Sequence, residues 1–523
     1  MEATGDVSPQ VPGFAFLAPV TAGTEFPFLE LYQSLQLQTW SDWHLYVVGP
    51  EVSDIVFGTD QRVSVIRAVT TLSEAVDSVL AVATSSHLTV VTQDGVLDET
   101  ALARFAGAIG SRDVDIIYSN ESVGHHRPPH VYFKPDFSPE RLRCQFYLGN
   151  CVFYRSDRVR ELGGLAAERP GAELYDLALR IARADPVVVH LREALFEQRE
   201  NGPMVVAGAG AVRGAEALES TRVALEEHLE ATGGGYVQSA SESGVHRTHR
   251  SVVGTPLVSI VIPTRGGLGR VHGVERCLVV DCVRSIVEKS TYQHYEIVIV
   301  IDSVADASVV ESLQEIAGDR LRLVWWDLPF NFSAKMNRGV FASRGEFVLF
   351  LNDDTEVITP GWIEPMLSLV QLPRAGMSGA MLYFEDDSIQ HAGHIYEAGD
   401  AGHIGTNDMR HAVGPSGSYL VEREVSGVTA ACSMMPRAVF DEVGGFSLLL
   451  PGNFNDVDLC MKVGQLGYAI YWTPNSELYH YESKSRVSRV ARYEVETAWG
   501  RWEWRMDDPT YWPYGALASP NGD

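Results

Sequence analysis

Cysteine is scarce in this 523-residue sequence and follows no pattern: six residues, at 144, 151, 277, 282, 432 and 460, with no Cys-x-x-Cys pair and no histidine at zinc-finger spacing. That excludes a disulfide framework and a zinc-finger module, and it predicts reduced, mostly buried thiols. Long apolar runs are missing too. The longest are about strand length, too short for a membrane-spanning helix. The start, Met1-Glu2-Ala3-Thr4-Gly5-Asp6, has neither the basic nor the apolar part of a signal peptide. The expected location is therefore cytoplasmic, with peripheral membrane contact left open. Positive charge is in deficit, 41 Lys and Arg against 68 Asp and Glu, a formal charge of −27. No run of five or six like charges offsets it, so phosphate backbones are repelled and nucleic acid is not expected as a partner. Neither half carries a Gly-rich loop that could cradle a triphosphate, which weighs against a nucleotidyltransferase.

What is present is a chain long enough for two domains of about 200 residues each. It is organised around Glu346 to Val357. Six β-branched, aromatic and other apolar residues read as a buried strand that runs into Asn352, Asp353 and Asp354. Ligands of open parallel sheets bind at that end of a strand. Two adjacent carboxylates beside an Asn repel each other and suit a divalent cation shared with phosphates, although a solvated turn or helix cap would use the same residues.

Strands and helices alternate throughout, which predicts an α/β fold with mostly parallel sheets. Strands are expected at Phe14 to Val20, Trp43 to Val48, His87 to Val91, Asp115 to Tyr118 and Val187 to His190, with helices over Phe28 to Thr39 and around Tyr175 to Arg180. The first domain spans residues 1–200. Residues 201–255 read as a linker with one docking helix, Ala215 to Glu230, whose stripe of Leu218, Leu225 and Leu229 packs against a core and which Gly233-Gly234-Gly235 stops. From Leu257 the pattern restarts, with strands at Leu257 to Ile262, Ile297 to Ile301, Leu321 to Trp326 and Ala469 to Trp472. Gly163-Gly164 answers Gly444-Gly445, Tyr175-Asp176-Leu177 answers Val457-Asp458-Leu459, and His190 is a candidate counterpart of His480. A tandem duplication accounts for this. The second domain spans 256–490. The tail, 491–523, holds Trp499, Trp502, Trp504, Tyr511, Trp512 and Tyr514, which either stack on a sugar or partner or pack over the second domain.

Seven stretches of the second half occur in an order that resembles glycosyltransferase family two on the GT-A fold. They are Ile262-Pro263-Thr264-Arg265, Phe330-Asn331-Phe332-Ser333, Leu351-Asn352-Asp353-Asp354-Thr355-Glu356, Gln390-His391-Ala392-Gly393, Gly444-Gly445-Phe446, Asn455-Asp456-Val457-Asp458-Leu459-Cys460, and Thr473-Pro474 through Leu478-Tyr479-His480-Tyr481-Glu482-Ser483. The arrangement is most similar to tandem bacterial enzymes of surface polysaccharide synthesis, rhamnosyl- and galactofuranosyl-transferase-like proteins.

The resemblance implies two tandem GT-A-like, Rossmann-like domains, the second catalytic. It implies an inverting hexosyl or deoxyhexosyl transferase that uses a nucleotide-sugar donor and a glycan, lipid-linked or protein-linked acceptor. Asn352-Asp353-Asp354 stands at the DXD position. Asn352, Asp354 and His480 would hold Mn²⁺ or Mg²⁺, and Pro263, Thr264, Asp302, Lys335 and Asp353 would hold the donor. Lys335 on a solvated helix face is the alternative. Asp456 would be the base, with Asp458 two residues on as the other choice. On a helix the two diverge by about 200°, so only one faces the cleft. In the first half Val48-Gly49-Pro50 replaces an Asp-rich strand end, Thr92-Gln93-Asp94 is a thinned DXD, and Leu174 occupies the slot of Asp456. That implies a domain that has lost catalysis. A bifunctional polymerase with both domains active, or a non-catalytic sugar-binding scaffold, are the alternatives.

Overall fold

Along the strand Val258–Thr264 the side chains alternate between two cores. Val258, Ile260 and Ile262 pack with the helices Leu278–Lys289, Ala307–Ala317 and Ile363–Val370, whereas Val261 packs with the helices Phe332–Ala342 and Asn455–Gln465. A strand apolar on both faces belongs inside a sheet covered by helices on each side, and its flanking strands repeat the alternation. The computed structural model describes residues 12–19, 25–49, 60–67, 69–91, 95–124, 130–198, 214–241, 243–482 and 490–514. It divides into two compact units, residues 1–248 and 249–523.

In the second unit the strand order is Leu321–Trp326, Tyr295–Asp302, Val258–Thr264, Phe347–Leu351, Cys432–Pro436, Ala375–Tyr383, Ala469–His480, Thr355–Val357. The first four strands are parallel. Cys432–Pro436 runs against both its neighbours, and Ala375–Tyr383 and Ala469–His480 are parallel again. In the first unit the order is Val63–Ile66, Trp43–Val48, Phe14–Pro19, His87–Val90, Val152–Arg155, Ile116–Val123, Val188–Gln198, Gly95–Leu97. The two orders are the same position for position, including the reversed fifth strand and the short antiparallel last one. The duplication legible in the sequence is thus a duplication of topology. Both glycine pairs, Gly163-Gly164 and Gly444-Gly445, have positive φ and end a short helix, where any side chain would be strained.

Several expectations change on inspection. Ala469 to Trp472 is the beginning of one strand that reaches His480, with a register shift between Ala380 and Met381 on its partner. Between Tyr383 and Asn407 lie the strands Ile389–His391, His394–Glu397 and Asp400–His403. The helix Gly214–Ala231 lies in the first unit, where Ala224 and Leu225 join the core. All six cysteines are free, and only Cys277 is not buried. Among the described residues no helix is long and apolar enough to cross a membrane. The amino-terminal residues 1–11, Pro50, Thr92-Gln93-Asp94, residues 201–213 and Ser483 lie outside the described residues.

A pH dependence is built into the first unit. His246 is buried, stacks on Tyr175 at 5.8 Å and is pushed down by burial to about 4. A histidine with a depressed folded pKa contributes fully above its unfolded value, and that contribution is lost as pH falls from about 6.5 towards 4. The limit of the loss is on the order of 3 kcal/mol. Denaturant unfolding of His246→Gln beside the parent should show a smaller fall in stability across that window for the variant. Parallel acid limbs would contradict the assignment.

Candidate functional site

Parallel strands leave the sheet on one side, so Thr264, Asp302 and the Asn352-Asp353-Asp354 turn emerge together. Pairing sets Pro263 beside Val300 and Thr264 beside Ile301, with Asp302 one residue further. Thr264 Oγ1 donates to Asp353 Oδ2 at 2.5 Å. Lys335 reaches this edge from the helix Phe332–Ala342, which Asn331 caps by accepting from Ala334 N at 2.8 Å. The helix lies tight on the sheet, since a Cβ on Gly339 would meet Val261 Cγ1 at 2.3 Å. Lys335 Nζ donates to the Thr264 carbonyl at 2.6 Å and pairs with Asp302, and its side chain is fully buried. The solvated helix face is therefore wrong for Lys335. Burial pulls its ammonium below the usual lysine range, and the Asp302 charge opposes that.

The acidic turn owes its neighbour to strand pairing. The short strand Thr355–Val357 pairs antiparallel with the end of Ala469–His480, Thr355 opposite His480. This sets His480 Nε2 3.0 Å from Asn352 Nδ2 and 3.2 Å from Asp354 Oδ1. Asp354 is 7% exposed, so it is a buried carboxylate and not a loose strand-end one. Burial and the adjacent Asp354 charge raise the Asp353 carboxyl above the usual range. Burial alone would lower the His480 ring, but Asp354, Glu482 and Asp353 outweigh it and raise it. The donor set, two crowded carboxylates with an amide and an imidazole nitrogen, carries more negative charge than it neutralises and suits a hard to borderline divalent cation.

Asp456 arrives from another direction. The helix Asn455–Gln465 follows Phe454, a non-glycine residue at φ 56°, and this left-handed turn presents Asp456 in the first helical turn. Its Oδ2 accepts from Thr429 Oγ1 at 3.0 Å and Ala430 N at 3.2 Å, and its Oδ1 from Val457 N at 2.9 Å. An ionised carboxylate offers about four acceptor sites, so Oδ1 keeps one for a further proton donor. The same loop joins Asp456 to the acidic turn, because Asn352 N donates to Ala431 O at 3.0 Å.

Asp458 faces inward. It is fully buried, accepts from Trp502 Nε1 at 2.8 Å and pairs with Arg501 at 2.9 Å and Lys462 at 3.3 Å. The tail thus packs on the second unit, with Trp502 and Trp512 buried and Trp499 and Trp504 exposed. In the first unit Asp176, at the matching place on the helix Glu173–Ala182, pairs with Arg180 four residues on, as Asp458 does with Lys462. An aspartate kept in both halves with the same kind of partner holds a helix in place. Asp458→Asn should lower unfolding stability by about 1–3 kcal/mol, since Asn keeps the Trp502 bond but not the charge pairing. A melt unchanged from the parent would contradict this.

His190 does not occupy the place of His480. The last strand of the first sheet pairs Gly95 with Gln198 and Leu97 with Phe196, as Thr355 pairs with His480 and Val357 with Leu478, so the counterpart of His480 is Gln198. His190 instead stacks on Tyr118 at 4.6 Å and bonds to Asp136 at 2.8 Å. Leu174 does sit at the place of Asp456, in the first turn of Glu173–Ala182.

Sequence reasoning passed over several residues that the fold brings to this edge. Thr429 holds Asp456, Gln390 bonds to His480, and a recess beside Asp354 is lined by Arg276, Asp281, Glu356 and Tyr481. His391, His394 and His403 have ring nitrogens within 4.8 Å of one another. Burial lowers all three rings, which keeps them neutral. His391 Nε2 accepts from Thr429 N at 3.2 Å, so its proton is on Nδ1 and is donated to His403 Nδ1 at 3.0 Å. Both His391 nitrogens are thereby used, and the cluster reads as a hydrogen-bonded wall, not an ion site. Glu356, Gln390, His391 and Tyr481 stand in stretches that carry the resemblance, whereas Arg276, Asp281, His394, His403 and Thr429 lie outside them; each of these side chains acquires its partner only on folding.

Residues 259–444 match the model of Glycosyl transferase family 2. The chain is 33% identical over 536 residues to the uncharacterized protein y4gI of Sinorhizobium fredii, covering 97% of this chain and 58% of that one. It is 28% identical over 534 residues to the O-antigen biosynthesis protein RfbC of Myxococcus xanthus, covering 97% and 40%. The chain spans about half the length of these curated relatives. Solved structures it resembles include the mannosyltransferase PcManGT of Pyrobaculum calidifontis in complex with GDP-Man and Mn²⁺, at 13% identity, 44% and 59% coverage and a TM-score of 0.32. Another is GalNAc-T7 with UDP, GalNAc and Mn²⁺, at 14% identity, 54% coverage of each chain and a TM-score of 0.38.

Proposed function

We propose, from the family 2 glycosyltransferase domain that residues 259–444 carry, that this chain moves a hexosyl or deoxyhexosyl group from a nucleotide-sugar donor to an acceptor hydroxyl, with a divalent metal and inversion at the anomeric carbon. The observation that carries the reading is the meeting at one sheet edge of two chemically distinct groups. One is the Asn352, Asp354 and His480 donor set, and the other is a single carboxylate, Asp456, with an open acceptor site. The relative named for O-antigen biosynthesis favours a surface polysaccharide as the acceptor, free, lipid-linked or protein-linked.

Asn352, Asp354 and His480 would hold Mn²⁺ or Mg²⁺, which supplies neutralisation of the departing nucleoside diphosphate. Pro263, Thr264 and Asp302 would receive the base and ribose, a carboxylate accepting from ribose hydroxyls. Asp353, tied to Thr264, would face the nucleotide or sugar. Lys335 would act from beneath, holding Asp302 and the Thr264 carbonyl in place. Asp456 would take the acceptor proton as its oxygen attacks, and one base opposite one leaving group gives a single displacement with inversion.

A panel of nucleotide sugars, screened for Mn²⁺-dependent thermal stabilisation and followed by NMR of the product's anomeric configuration, tests the reading. The expected result is stabilisation by one donor class and an inverted product. Retention of configuration, or transfer undiminished in a chelator, would overturn it.

We further infer that the first unit does not catalyse. Leu174 cannot accept a proton, and Gln198 offers no imidazole beside Gly95. Gln198→Ala should therefore leave turnover and Mn²⁺ response at parental levels, and a loss of either at unchanged melting temperature would restore the bifunctional reading.

A further inference from the structure

Gln390 opens a stretch that resembles the family, yet nothing so far gives it a task. It is buried, on the strand Ile389–His391, and its side-chain amide spans two groups. Oε1 lies 2.6 Å from His480 Nδ1, and Nε2 lies 3.0 Å from Glu482 Oε2. An amide's two ends are often interchangeable on geometry alone, but here chemistry decides between them. An ionised carboxylate only accepts, so the NH₂ end faces Glu482 and the oxygen faces His480. An amide oxygen also only accepts, so His480 carries its proton on Nδ1. In the neutral ring the Nε2 lone pair is then the one aimed at Asn352 and Asp354.

We infer that Gln390 and Glu482 are positioning residues: Glu482 orients the Gln390 amide, and the amide holds His480 in the Nδ1–H tautomer, the form whose Nε2 can bind a metal beside Asp354. The inference rests on the proposed metal site. Carboxylate, amide and imidazole form a relay in which each member fixes the next and whose last member would hold the ion, and the strand pinned by Ile389 N to Asp408 O at 2.7 Å and Ala392 N to Ile404 O at 3.0 Å keeps Gln390 still. Loss of such an outer partner lowers metal affinity by roughly 10–100-fold.

The test uses the full chain with histidine ring nitrogens labelled with ¹⁵N, and Mn²⁺ alone as the probe. Long-range ¹H–¹⁵N spectra of the metal-free protein at alkaline pH read the His480 tautomer, and electron paramagnetic resonance of free Mn²⁺ reads affinity. Gln390→Leu should populate the Nε2–H form and weaken Mn²⁺ by roughly 10–100-fold. Glu482→Gln, an exposed change that does not threaten folding, should weaken it less, because the amide can then turn over. The double variant Gln390→Glu/Glu482→Gln should restore both readouts, since a carboxylate at 390 accepts from Nδ1–H and from the new amide. Parental tautomer and affinity in Gln390→Leu and Glu482→Gln, or no rescue in the double variant, would overturn the inference. A parental chain that binds no Mn²⁺ would overturn the proposed function instead, while the metal-free spectra would still decide for or against the role of Gln390 in setting the tautomer.

Discussion

Asp354→Ala is expected to abolish transfer and the Mn²⁺-dependent binding of nucleoside diphosphate, while the metal-free protein melts no lower than the parent. Asp354 is buried beside Asp353, whose carboxyl its charge helps to raise, and it pairs with His480 at 3.2 Å. Removing it loses that pair but relieves a like-charge contact in a site of low solvent access, so the two effects oppose in the metal-free protein. What disappears is the ligand. Metal binding at a hundred times its dissociation constant stabilises a folded protein by about 2.7 kcal/mol, and that increment should vanish in the variant. Calorimetry with nucleoside diphosphate, with and without Mn²⁺, checks the binding, and a thermal melt checks the fold. Undiminished metal-dependent binding would mean that the cation sits elsewhere.

Asp456→Asn should separate chemistry from binding. A base contributes only once the acceptor hydroxyl is in place, so donor affinity should persist while turnover falls by roughly a hundred-fold or more. Asn at this position can still accept from Thr429 Oγ1, Ala430 N and Val457 N through its carbonyl oxygen, though not all three at once, so a small loss of stability is expected as well. Initial rates at saturating donor, beside donor titrations, give the two readouts. An Asp456→Asn enzyme with parental turnover would sink the assignment. The alternative two residues on is already committed to Trp502, Arg501 and Lys462, so the base would then have to come from outside the motif.

The fate of these two aspartates illustrates how far a linear reading reaches. Helical phase said that Asp456 and Asp458 could not both face the cleft, and the resemblance chose Asp456. The inward partners of Asp458 settle which way that residue points, and they come from the tail, a segment the sequence left divided between sugar stacking and packing. Lys335 was similarly undecided between a ligand and a solvated face. Its burial follows from the close seat of its helix at Gly339, a distance that no propensity encodes.

By itself the sequence determined what is local or periodic: the doubly covered strands, the acidic turn that ends one of them, the repeat of the whole pattern, and a leucine in place of the first half's base. Each of these depends on residues adjacent along the chain or spaced by a helix or strand period, so burial preference and chemistry are enough to read them. Only the tertiary structure decided which distant residues share the site. Strand register across irregular pairing made Gln198, and not His190, the counterpart of His480. It also placed His480 beside Asp354 and Gln390 behind it. Register is fixed by the packing of both faces of a sheet at once, and a single inserted residue at a bulge shifts every partner beyond it, so spacing along the chain cannot supply it.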